Sequence, residues 1–87
     1  MFKKLIDNYV YNLKKSDVYN FGYKNGINLS DDELEYVYDI IKKDYHTIIY
    51  GNPDNIFLDL KSKFPLETVR KIENLYLEFK MKFENYL

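Results

Sequence analysis

Residues 66–86 read LETVRKIENLYLEFKMKFENY. Val69, Ile72, Tyr76, Phe79, Phe83 and Tyr86 follow one another at steps of three, four, three, four and three. That spacing lines one face of an α-helix, and Glu and Lys fill most other positions. The pattern predicts one helix of about six turns and about 33 Å, with an apolar seam made to pack on other helices. A domain of this length has a diameter near 30 Å, so such a helix just spans the body and the seam reads as core. The alternative is a homodimer or coiled-coil contact through Phe79, Phe83 and Tyr86, although three heptads are short for an independent coiled coil.

Upstream, Phe2, Leu5, Ile6, Tyr9, Val10 and Leu13 also step at helical spacing, predicting a first helix over residues 2–13. Ser16 is a candidate cap for a short second helix carrying Val18 and Phe21. Asn25-Gly26 ends it, with Gly26 as the left-handed residue and Ile27 folding back on Phe21. Ser30-Asp31-Asp32-Glu33 is a capping box, and Leu29 and Leu34 on either side form a hydrophobic staple. The third helix is expected to run to about Asp44, with Leu34, Val37, Ile40 and Ile41 inward. The β-branched run His46-Thr47-Ile48-Ile49-Tyr50 has no partner strand in the sequence and reads as a connecting loop. Gly51-Asn52-Pro53-Asp54 reads as a turn opening a fourth helix, with Pro53 in its first turn. Ile56, Phe57, Leu60 and Phe64 mark that helix, and Pro65 breaks it and begins the fifth. The expected architecture is all-α: one compact domain over residues 1–87, about five helices, the last serving as a spine for helices one, three and four.

Eighty-seven residues without cysteine exclude disulfides, thiolate metal sites and a cysteine nucleophile. Stability then rests on the core, which a handful of the ten Tyr and six Phe suffices to anchor, while the excess of Tyr over Phe places many rings at the boundary with the hydroxyl in water. No apolar stretch approaches the ~20 residues of a membrane span, and no apolar block follows Lys3 and Lys4 as a signal peptide requires. The expectation is a cytoplasmic protein with no membrane contact. The net charge of −1 hides a pattern: residues 25–60 are acidic, between two mildly basic ends.

Chemistry finds little purchase. His46 is the one histidine, and no metal-ligand spacing surrounds it. Ser16 and Ser30 are assigned to capping, and neither sits on a strand-to-helix elbow. Carboxylates such as Asp31/Glu35 and Glu35/Asp39 share one helix surface rather than facing across a cleft. Three dispersed glycines make no phosphate loop. The chain is expected to be no enzyme and to carry no cofactor or metal.

Residues 17–43 outwardly resemble a helix-turn-helix, with Gly26 at the turn. The second helix departs from it: its inward positions fall on Asp32 and Glu35, and its first turn, Asp-Asp-Glu, repels phosphate. Duplex DNA is not an expected ligand. Lys14, Lys15 and Lys24 beside Tyr19 and Tyr23 pair charge with stacking rings, as RNA and single-strand binders do.

The pattern as a whole resembles the YqfT-like small proteins of low-GC Gram-positive bacteria, a domain family of unknown function and similar length. The resemblance lies in Gly26-Ile27-Asn28-Leu29-Ser30 with Glu33 and Val37, in Pro65-Leu66-Glu67-Thr68-Val69-Arg70-Lys71-Ile72, and in Leu75 to Phe79, across about Ile6 to Lys80. It implies an all-helical cytoplasmic protein and carries no activity or site. The leading expectation is a protein-interaction or adaptor module. Its candidate contacts are Asp31, Asp32, Glu35 and Asp39, with Asp44 extending the acidic belt, and Phe83 and Tyr86. The alternative is RNA or single-stranded nucleic-acid binding through Lys14, Lys15, Tyr19, Tyr23 and Lys24.

Overall fold

The computed structural model describes residues 2–83, without the side chains of Phe2, Lys3, Phe79, Lys82 and Phe83. The described residues form five helices and no strand: α1 (Phe2–Tyr11), α2 (Lys15–Lys24), α3 (Asp31–Tyr50), α4 (Asp54–Lys63) and α5 (Leu66–Phe83). The all-α expectation holds. The chain divides into two compact units, Met1–Tyr45 and His46–Leu87.

In the first unit, α2 ends as its sequence dictates. Gly26 takes φ +81, the Gly26 N–H donates to the Tyr23 carbonyl (3.1 Å), and the Ile27 N–H donates to the Gly22 carbonyl (2.8 Å). This Schellman arrangement satisfies the last carbonyls of the helix. The apolar closure differs from expectation. Ile27 is buried against Gly22, where a Cβ would lie 3.6 Å from that of Ile27, while Phe21 stays exposed. A glycine at the closing position leaves room for Ile27 to fold in without a ring. The start of α2 is also corrected. Ser16 lies inside the helix, Lys14 is the N-cap residue, and Asp17 accepts the Lys14 N–H at 3.0 Å. An acid in the first turn suits the helix dipole as well.

The Ser30 box forms in both directions: Glu33 Oε1 accepts the Ser30 N–H (2.9 Å), and Ser30 Oγ accepts the Glu33 N–H (3.2 Å). From there α3 runs past Asp44. The predicted loop 46–50 is helical to Tyr50, because a helix already nucleated costs little to extend. Gly51 stops it. Its N–H donates to the Thr47 carbonyl at 3.0 Å, and a Cβ there would meet Thr47 backbone at 3.1 Å. Buried Val10, Val18, Ile27 and Leu29 form the core of the first unit.

In the second unit, Pro53 is the residue before α4 rather than in its first turn, and Asn52 Oδ1 accepts the Asp54 N–H at 2.9 Å. Phe64 is extended (φ −115, ψ 155), the conformation that a following proline imposes, and ends α4. The Pro65 carbonyl then accepts the Val69 N–H (3.1 Å) as α5 begins. The resulting hairpin packs α4 on α5 around Leu60, Phe64 and Val69, the last fully buried. Phe57 meets Tyr76 edge to face, with centroids 5.5 Å apart. Val69, Ile72 and Tyr76 thus follow the expected seam; Phe79 and Phe83 side chains and Tyr86 lie outside the described residues.

Candidate interaction surfaces

The acidic edge of α3 begins in its capping turn. Asp31, Asp32, Asp39 and Asp44 are exposed, and among the described residues none has an ion-pair partner. Glu35 differs, because Lys15 reaches it from α2 at 3.4 Å. Lys15 Nζ also lies 5.9 Å from the Tyr38 ring centroid, so this lysine is committed within the unit. The belt and the basic cluster therefore share one contact and are not two separate faces. Phe83 and Tyr86 lie outside the described side chains.

The basic set is brought together in part. Tyr19 and Tyr23, one turn apart on α2, stack at 6.1 Å and 24°, and the Tyr19 hydroxyl donates to Asn28 Oδ1 at 3.2 Å. Tyr23 remains largely exposed, as do the Lys14 and Lys24 side chains.

Sequence reasoning missed a third group. Tyr38, Lys42 and Tyr45, at steps of four and three along α3, reach the end of α1. The Tyr38 hydroxyl donates to the Leu13 carbonyl (2.8 Å), and Lys42 Nζ donates to the carbonyls of Val10 (2.8 Å) and Tyr11 (2.9 Å). The Tyr45 hydroxyl donates to Asp7 Oδ1 at 2.6 Å. The last turn of α1 holds no basic residue of its own, so Lys42 caps its carbonyls from the neighbouring helix. The Tyr11 and Tyr38 rings lie 5.9 and 5.7 Å from the same ammonium. The helical spacing of these side chains is the available signal, hidden because Tyr and Lys at such positions also suit a boundary or solvent-facing helix surface.

Apolar groups are left exposed beside this structure. Leu5 and Tyr9, one turn apart on α1, are 61% and 67% exposed, and Phe21 and Tyr23 on α2 are 55% and 63% exposed. The α1 stripe is split: Val10 turns in, Ile6 and Leu13 are half-buried, and the Leu5–Tyr9 edge stays in water. His46 lies in the last turns of α3 rather than in a loop, beside the Tyr50 ring at 6.0 Å. Among the described residues no three His, Asp or Glu side chains group as a metal site requires, and no helix is long and apolar enough to cross a membrane. Protein-family models, curated proteins and solved structures yield no match to the chain.

Proposed function

We propose that the chain is a small non-catalytic protein-interaction module of the cytoplasm. The observation that carries this reading is the pair of short helices α1 and α2, which leave Leu5, Tyr9, Phe21 and Tyr23 more than half exposed. Large apolar side chains held on rigid helices supply contact area at low entropic cost, and aromatic residues concentrate binding energy. Asp31, Asp32 and Asp39, exposed and without an ion-pair partner among the described residues, add charge that favours a partner with basic groups at its rim. The test is a native-lysate pull-down with the wild-type chain and a Leu5→Ser/Tyr9→Ser variant. A stoichiometric partner held by the first and lost by the second is the expected result; no stoichiometric partner for the wild type refutes it.

One observation favours a second reading. Tyr23 is stacked on Tyr19 and 63% exposed, and Lys14 and Lys24 are exposed on the same helix and its cap. Such a ring beside lysines suits single-stranded RNA. Binding of this kind weakens steeply with salt and is lost on Lys14→Glu/Lys24→Glu, whereas the protein contact is not. No gel shift of labelled RNA at low salt retires the RNA reading.

A further inference from the structure

At the open end of the α4–α5 hairpin lies a cleft of about 440 Å³. Its size falls within the range of about 300–1,000 Å³ typical of ligand sites. Its floor is apolar. Pro53 is buried, Phe57 and Tyr76 are half-buried and meet edge to face, and Leu77 beside them is 53% exposed. The lining also includes Asp54, Tyr76 and Lys80, whose side-chain polar groups make no bond to any described residue. Glu73 also lines the cleft but is held by Lys61 at 3.9 Å, which leaves Asp54 as the acid open to a ligand.

Asp54 and Lys80 come from different helices and do not pair with each other, so one cleft is lined by two separate opposite charges together with the Phe57 and Tyr76 rings. A simple anion gains little here, because Asp54 already occupies the first turn of α4 and answers its dipole. A simple cation meets Lys80. An occupant bearing both charges and an apolar centre satisfies every group at once, and a peptide main chain also offers donors and acceptors to the Tyr76 hydroxyl.

We propose that this cleft seats a short peptide segment of a partner protein, with a large apolar or aromatic anchor side chain on Phe57, Tyr76 and Leu77. The anchor is flanked by a basic residue toward Asp54 and an acidic residue toward Lys80. The proposal rests on the protein-binding reading and deepens it by naming the chemistry of the bound segment. Its probes are acetyl-Lys-Trp-Glu-amide and acetyl-Glu-Trp-Lys-amide, added to the purified full-length chain and followed by amide NMR shifts. Acetyl-Lys-Trp-Lys-amide and acetyl-Glu-Trp-Glu-amide serve as like-charged controls. One mixed-charge order is expected to shift the Phe57, Tyr76 and Leu77 amides saturably and to bind about tenfold tighter than either control, as one charge-assisted contact provides. Leu77→Asp, at a site 53% exposed and with its fold checked by the dispersion of the amide spectrum, is expected to abolish the shifts, and Asp54→Asn/Lys80→Met to erase the preference over the controls. No saturable shift with either mixed peptide, controls that bind equally well, or full binding by Leu77→Asp overturns the proposal. Because the titration uses purified chain, peptide binding together with a lysate partner that survives Leu5→Ser/Tyr9→Ser keeps the cleft and removes the α1–α2 contact; a partner lost with that variant and no peptide binding keeps the module and removes the cleft.

Discussion

Gly26 shows how far one residue can be read. Its φ of +81 is a conformation that side chains with a Cβ resist, and beyond its two chain neighbours no described atom lies within 4 Å of where that Cβ would stand. The cost of Gly26→Ala is therefore conformational rather than steric, about 1–2 kcal/mol. In a domain of this size that lowers the melting temperature by roughly 5–15 °C, and an unchanged melting curve would show that the turn is not held as described. Lys42 makes the contrasting case. Its ammonium serves two carbonyls at the end of α1, so Lys42→Met, which keeps the stem, is expected to cost about 1.5–3 kcal/mol as hydrogen bonds to charged groups do. Lys43→Met, exposed on the next residue, serves as the control and is expected to be neutral within about 0.5 kcal/mol. Equal melting temperatures for the two variants would deny Lys42 its capping role. Gly26 was legible because its conformational demand is local. Lys42 was not, since its partners lie 31 and 32 residues away in the chain.

At the scale of the helix, α3 holds both the firmest reading and the clearest correction. The Ser30–Glu33 box is written in adjacent residues and forms as written. Ser30→Ala is expected to cost about 0.5–2 kcal/mol, read by chemical denaturation. The other end of α3 was misjudged because β-branched residues at 47–49 have a weak intrinsic helix preference, which an already formed helix overrides. Carbon secondary shifts for His46 to Tyr50 should therefore be helical; coil values there would return that stretch to a loop. In the α4–α5 hairpin, Leu60 is buried to 4% exposure whereas Leu58 is 63% exposed. Leu60→Ala is expected to cost about 2–5 kcal/mol, against about 0.5 or less for Leu58→Ala, so the pair reports directly on the packing of the hairpin.

For the molecule as a whole, the described ion pairs Lys15–Glu35, Lys61–Glu73 and Lys71–Glu67 all have at least one strongly solvated partner. Such pairs contribute little, so the melting temperature should fall by no more than a few degrees as salt is raised to about 1 M. A large fall would assign stability to charge rather than to the cores around Val10 and Val69. Self-association through Phe79, Phe83 and Tyr86 is a separate question, and light scattering answers it: a monomer at high concentration excludes that contact. The residue string alone determined the all-helical class, the glycine and capping-box punctuation and the Val69, Ile72 and Tyr76 part of the seam of α5, since each depends on interactions within a few residues or on a repeating period. Only the tertiary structure decided that Lys42 caps a helix not its own, that Lys15 closes on Glu35, and that Asp54 and Lys80 line one cleft with Phe57 and Tyr76. Those arrangements depend on distances between segments far apart in the chain, and neither periodicity nor propensity encodes such distances.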